Sequence, residues 1–244
     1  MLKDKVAFIT GGSGAVGQAI VRVLAREGCK IAYSYKNGIQ KAEQLDKELT
    51  SAGIEIKSYV LDITDSEASN ELTKQIEQEL GPVDILVNNA GVAQIMPFAM
   101  IEENDWDMMM NINVKGMFLV TKAFARGMIR RKTGCIINIG SLAGVRMLEV
   151  PVHYATAKSA VAGFTLALAR ELGRYNIRVN SVVPGMLDGG VSDNIPAKQQ
   201  EQYIDYCALS RAGKCEEVAE LVGFLASDRS SYINAQSILI DGGI

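Results

Sequence analysis

Histidine is almost missing from this chain: 244 residues contain one, His153. A metal site built on several imidazoles is therefore excluded, no metal is expected, and a Ser-His-Asp triad would have to use that residue. Its place beside Tyr154 fits a packing or orienting neighbour. Neither sign of charge dominates, since 25 Lys and Arg face 28 Asp and Glu for a formal net charge of −3. That balance gives no electrostatic case for nucleic acid as the main partner. The four cysteines, Cys29, Cys135, Cys207 and Cys215, have no CxxC spacing; reduced thiols in a cytoplasmic protein are the expectation. No apolar run approaches the roughly 18 residues a membrane span needs. Met1-Leu2-Lys3-Asp4-Lys5 runs straight into an apolar strand pattern without the apolar h-region of a secretory signal.

What is present reads as one α/β domain over residues 1–244. Hydrophobic residues make up 48%, near the globular average, and the length supports a sizeable core. Short apolar runs at Val6–Thr10, Lys30–Tyr35, Ile56–Leu61, Ile85–Asn88, Cys135–Gly140, Arg178–Val183 and Ser237–Ile240 read as strands. Helical spacing falls between them, at Ala15–Glu27, Ile39–Ser51, Ser66–Leu80, Glu103–Arg131 with a break near Gly116, His153–Tyr175 and Glu216–Ala226. Strands separated by helices of this length imply βαβ units, right-handed crossovers and a doubly wound, Rossmann-type parallel sheet of seven strands. Met186–Gln200, with Gly189-Gly190 and Pro196, is the least regular stretch and reads as a mobile lid.

Thr10-Gly11-Gly12-Ser13-Gly14-Ala15-Val16-Gly17 lies between the first strand and the first helix. Glycines there permit a tight turn and a close approach of backbone to a pyrophosphate resting on the helix N-terminus. Gly11, Ser13 and Gly17 are expected nearest the cofactor. No GK[ST] follows, so this is not a nucleotide-triphosphatase loop. The second strand ends Tyr33-Ser34-Tyr35-Lys36-Asn37, with a cation and no carboxylate. A carboxylate at that place bonds a ribose 2′-hydroxyl and a basic group accommodates a 2′-phosphate, so Lys36 points to NADP(H) over NAD(H).

Tyr154 and Lys158 stand four apart, one above the other if the segment is helical. Such pairs also occur on ordinary amphipathic surfaces. A fixed ammonium beside a phenol favours phenolate and would pull the Tyr pKa down towards working pH, where it can exchange a proton with an alkoxide.

Taken together, these residues resemble the short-chain dehydrogenase/reductase family over nearly the whole chain. The matches are Thr10-Gly11…Gly17, Asp62, Asn88-Asn89-Ala90-Gly91, Asn113 in Asn-Val-Lys-Gly, Ser141, Tyr154 with Lys158, Pro184-Gly185 and Asp241-Gly242-Gly243. The resemblance implies a catalytic set of Asn113, Ser141, Tyr154 and Lys158. Asn113 would hold a water that links Lys158 to solvent. It implies cofactor contacts from Gly11, Ser13, Gly14, Val16, Gly17, Lys36, Asp62, Ile63, Asn89, Ala90, Gly91, Tyr154, Lys158, Pro184 and Gly185, and a homotetramer that buries the helices after strands four and five and the last strand. Two departures stand out: Ala15 where the family usually has Gly, and Met186-Leu187-Asp188-Gly189-Gly190 where it often has a Thr against the nicotinamide.

Within the family the chain is similar to 3-oxoacyl-[acyl-carrier-protein] reductases in length and in Leu209–Gly213 followed by Glu216–Ala219. The resemblance then gives Arg130, Arg131, Lys132, Arg174 and Arg178 the task of docking an acidic carrier protein. A solvated face explains such charges equally well. The apolar Val145, Met147, Leu148, Val150 and Met186 favour a lipid-like ketone over a sugar.

Overall fold

The computed structural model describes residues 2–244. Seven strands form one sheet: β1 (Val6–Ile9), β2 (Lys30–Tyr35), β3 (Ile56–Val60), β4 (Val83–Asn88), β5 (Gly134–Ile139), β6 (Ile177–Pro184) and β7 (Ser237–Ile240). Their order is β3-β2-β1-β4-β5-β6-β7, and every pairing is parallel. β1 is buried along its whole length, as a strand covered on both faces must be, which is why it reads as an unbroken apolar run.

The helices are α1 (Ala15–Arg26), α2 (Ile39–Ser51), α3 (Ser66–Glu79), α4 (Glu103–Met110), α5 (Met117–Arg131), α6 (Val152–Leu172), α7 (Ala197–Tyr206) and α8 (Cys215–Ala226). One face of the sheet is covered by α1, α2 and α8 through Ile20, Leu24, Leu45, Val218 and Val222. The other carries α3, α5 and α6 through Leu72, Ile76, Phe124, Met128 and Leu172. Phe8 of β1 stacks on Phe124 of α5 with ring centroids 4.5 Å apart, an aromatic pair worth about 1 kcal/mol beyond its buried area.

The stretch Glu103–Arg131 is helical throughout, and the expected break near Gly116 takes the form of a π-helical segment, Asn111–Gly116, between α4 and α5. The stretch Met186–Gln200 is more ordered than its composition suggests. It holds a short 3₁₀ turn, Gly190–Asn194, and the beginning of α7. Gln200 Nε2 donates to the Ser192 and Ile195 carbonyls at 3.2 and 2.8 Å, satisfying acceptors a mobile loop would leave to water.

Strand order reverses between β1 and β4, so the turns leaving their carboxyl ends part and open a crevice. Thr10 and Asn89 join those two turns. The Asn89 and Ala90 amides each donate to Thr10 Oγ1 at 3.0 Å, and Asn89 Nδ2 donates to the Thr10 and Gly11 carbonyls at 2.9 and 3.0 Å.

Candidate active site

The glycine-rich turn follows β1 at this reversal. Gly11 has φ +66°, a left-handed conformation that side chains resist. A methyl on Gly17 would lie 2.2 Å from the Gly11 carbonyl oxygen, so the turn can close onto α1 only with hydrogen there. The α1 N-terminus has Gly14 as its cap residue, no side-chain cap and no acid in its first turn. Its first amides and the helix dipole therefore stand ready for an anion. These features fit a dinucleotide pyrophosphate.

Other expected cofactor residues take more particular places. Ser13 Oγ donates to the Asn37 carbonyl at 3.1 Å, tying this turn to the one after β2. Val16 packs against the core under α1. Ile63 is buried, and a methyl on Gly116 would meet its side chain at 2.7 Å; only its backbone is left to face a ligand. Lys36 is not the free cation the sequence suggested: its Nζ pairs with Asp62 Oδ2 at 2.5 Å. Lys36 and two bonds from Thr64 hold the Asp62 carboxyl down at about 2. Pro184 ends β6, and the Gly185 amide donates to the Ile240 carbonyl at 3.0 Å. A methyl on Gly185 would fall 2.2 Å from the Tyr203 hydroxyl, which itself accepts from the Met186 amide at 3.0 Å. The two departures from the family pattern meet: Gly189 and Gly190, both at positive φ, lie over Ala15, and a methyl on Gly190 would be 3.6 Å from the Ala15 methyl. The methyl on α1 is matched by bare backbone above it.

The second group of side chains comes from β5, α6 and the π segment. Ser141 leaves the end of β5, and its Oγ accepts from the Ala143 amide at 3.2 Å, capping a short 3₁₀ turn. Gly144 lets that turn rest on α6, because a methyl there would be 2.5 Å from the Lys158 carbonyl carbon. Tyr154 and Lys158 are one turn apart on α6, with Nζ 5.9 Å from the phenol ring centroid. Lys158 is 9% exposed and donates to the Ile139 carbonyl at 3.1 Å. Burial pushes its ammonium down to about 8.

The expectation that Lys158 depresses the Tyr154 pKa is not met. Burial raises it, and the Ser141 hydroxyl draws it part of the way back. Desolvation of the phenolate outweighs an ammonium at this distance. Tyr154 alone is therefore protonated at neutral pH and a weaker acid than a free phenol.

Asn113 sits in the π segment, and its amide is fully engaged. Oδ1 accepts from the Val92 amide at 3.2 Å, and Nδ2 donates to the Val92 and Met109 carbonyls at 3.0 and 3.1 Å. The side chain is thus a clamp on the turn after β4. Gly91 lies in the same place, since a methyl on it would be 2.6 Å from Asn113 Oδ1 and 3.5 Å from Lys158 Nζ. At Gly91 the two groups of residues meet.

Two polar networks were not anticipated. Asn88 Nδ2 donates to Thr121 Oγ1 and to Asn138 Oδ1, each at 2.8 Å, and Asn138 Nδ2 donates to Thr165 Oγ1 at 2.9 Å. This buried chain joins β4 and β5 to α5 and α6. Its signal was an asparagine inside each of two otherwise apolar strands. In the other network, Gln94 Nε2 donates to Asp105 Oδ1 at 2.7 Å, and Gln94 Oε1 lies 3.2 Å from His153 Nε2. His153 is fully buried, burial pushes its imidazole down, and Asp105 partly opposes this. It therefore orients the start of α6 beside Tyr154.

The expected basic patch is only partly a surface. Arg178 donates to the Leu225, Ser227 and Ile233 carbonyls at 2.8, 3.2 and 3.5 Å, closing the end of α8. Arg131 donates to the Val83 carbonyl at 2.5 Å. Arg130, Lys132 and Arg174 remain exposed. All four cysteines are free and buried. Among the described residues no helix is long and apolar enough to cross a membrane, and no group of His, Cys, Asp or Glu is placed to hold a metal.

A parallel sheet with a glycine-rich turn at its reversal point defines a dinucleotide-binding α/β protein. Comparisons give the family. A model described as Enoyl-(Acyl carrier protein) reductase matches residues 12–244. The chain is 37% identical over its full length to 98% of the 3-oxoacyl-[acyl-carrier-protein] reductase FabG of Thermotoga maritima. It is 36% identical over its full length to 98% of the FabG of Pseudomonas aeruginosa. Among solved structures it resembles a gluconate 5-dehydrogenase from Burkholderia cenocepacia in complex with NADP and tartrate, at TM-score 0.93 and 30% identity over 99% of this chain and 95% of that one. The chain belongs to the short-chain dehydrogenase/reductase family and is an oxidoreductase of the nicotinamide-dependent kind.

Proposed function

We propose that this enzyme uses NADPH to reduce a 3-oxoacyl thioester on acyl carrier protein to the 3-hydroxyacyl thioester, in fatty-acid or related acyl synthesis. The observation that carries the reading is the buried Lys158, one turn from Tyr154 on α6 and beside Gly91 of the turn after β4, with the Ser141 hydroxyl acting on the phenol. Full-length likeness to two FabG reductases supports the substrate class, and Lys36 supports the phosphorylated cofactor.

The glycine-rich turn, the α1 N-terminus, Asp62, Asn89–Gly91 and Pro184-Gly185 would hold the cofactor, with Lys158 at the nicotinamide ribose. When bound, the nicotinamide supplies the hydride that the ketone carbon accepts. Ser141 Oγ donates a hydrogen bond to the ketone oxygen as charge builds on it. Tyr154 gives that oxygen its proton, so the ketone gains a hydride and a proton and becomes a secondary alcohol. Lys158, charged at neutral pH, stabilises the phenolate left behind. With its amide engaged on Val92 and Met109, Asn113 can offer a proton-supplying water only its backbone carbonyl.

The test is NADPH consumption with acetoacetyl thioester presented on holo acyl carrier protein and on CoA. Much faster turnover on the carrier protein is expected, with Arg130, Lys132 and Arg174 as the exposed cations facing it. Slow turnover on both carriers, with activity on a free apolar ketone or alcohol, would overturn the substrate and favour the second reading, a short-chain reductase or dehydrogenase of another apolar ketone or secondary alcohol. The exposed Val145 and Met147 keep that reading in view. The reading includes a cytoplasmic homotetramer. Phe118, Leu166 and Leu239 are exposed on α5, α6 and β7, and light scattering that returned a monomer would remove the assembly.

A further inference from the structure

The turn after β2 offers one basic side chain between Tyr35 and Gln40, and that side chain is already bound. Lys36 Nζ sits 2.5 Å from Asp62 Oδ2. Asp62 is held from the other side. Its Oδ1 accepts from the Thr64 amide at 3.0 Å and from Thr64 Oγ1 at 2.7 Å, and its carbonyl accepts from the Asp65 amide at 3.0 Å. Asp62 therefore presents Oδ2 from a fixed position, and Lys36 comes to it. The neighbouring turn is tied down as well, by Ser13 Oγ on the Asn37 carbonyl.

We propose that Asp62 is a cofactor-selectivity residue, a fixed anion that competes with the cofactor's 2′-phosphate for the single cation of Lys36. The inference rests on the reading that Lys36 receives that phosphate. A lysine ammonium is one point charge with three donors, and a phosphate monoester carries close to two negative charges. Binding NADPH must draw Lys36 off Asp62, or share it, and bring the phosphate towards a carboxylate that Thr64 still holds through Oδ1. NADH presents a ribose hydroxyl, which disturbs neither the pair nor the carboxylate. Asp62 thus narrows the margin by which the protein prefers NADPH.

Dissociation constants of NADPH and NADH, measured on the full chain by nucleotide fluorescence, test this without turnover. The readout is the ratio of the NADH constant to the NADPH constant, which cancels any adenine contact common to both. Asp62→Asn keeps the shape and an acceptor for Thr64 and removes the charge, with Asp62→Ser as a second charge-free variant. The ratio should rise about two- to fivefold, the size of an exposed ion pair. Lys36→Met should lower the ratio, and on that background Asp62→Asn should no longer raise it. An unchanged or smaller ratio in both Asp62 variants, with Lys36→Met still lowering it, would overturn the competition and leave the cofactor reading intact. A ratio indifferent to Lys36→Met would overturn both.

Discussion

The two halves of the site are made of different material. The cofactor side is mostly backbone: glycines at close quarters, an uncapped helix end, and carbonyls and amides sewn together by Thr10 and Asn89. The catalytic side is mostly side chains taken out of water, with Lys158 pushed down to about 8 and the Tyr154 phenol raised. Within the first half the contrast repeats on a smaller scale. The α3 N-terminus is closed by Asp65, whose carboxylate accepts from the Glu67 and Ala68 amides at 2.9 and 3.0 Å, whereas that of α1 is left open. Both helices follow strands at the same edge of the sheet. The α3 end is satisfied by its own carboxylate, and the α1 end, at the reversal point, keeps its amides free for a ligand.

Three experiments sharpen this division. Tyr154→Phe should cut kcat by roughly 10²–10⁴-fold, the worth of a positioned proton donor, and leave the NADPH dissociation constant nearly unchanged. Near-normal turnover would remove Tyr154 as the acid.

The buried lysine gives the next effect. Its folded pKa lies below its ordinary one, so the unfolded chain holds the extra proton between pH about 8 and about 10.5. The cost of burying the charge is therefore fully present below that window and is relieved as pH rises through it. The stability difference between the wild type and Lys158→Met, from urea unfolding without cofactor, should move by about 3 kcal/mol across the window in favour of the wild type. A flat difference would mean that the ammonium is solvated.

The smallest change is Gly14→Asp, which would place a carboxylate at the open end of α1. NADPH affinity should fall roughly tenfold, and melting temperature should hold or rise. Unaltered affinity would show that the α1 terminus is not where the pyrophosphate rests.

The sheet was legible because its strands are short apolar runs between helices of regular spacing, and the reversal point was legible from the glycines that must follow β1. Tyr154 and Lys158 could be put on one helix face from their spacing, but their roles and that of Ser141 came from the resemblance to the family. The sign of the Tyr154 pKa could not be read, since it depends on how much of the fold covers the phenol and on an ammonium 5.9 Å from its ring. Nor could the Lys36–Asp62 pair, which joins residues from different βα turns, or the part played by Tyr203, whose hydroxyl meets Met186 across the fold. Arg131 and Arg178 looked like surface charge because a sequence does not say which carbonyls lack donors; the start of β4 and the last turn of α8 supplied those carbonyls.

The π segment at Asn111–Gly116 has a consequence for how this chain tolerates change in length. A turn closed by i→i+5 bonds holds one residue more than an α-helical turn. The helices on either side keep their phase, so Val120, Phe124 and Met128 face the core as they would on an uninterrupted helix one residue shorter. The segment is in effect an insertion absorbed where it occurs. Asn113 is lodged in that extra loop of backbone, so the segment places the clamp on Val92 and Met109 without disturbing the face that α5 turns to the sheet.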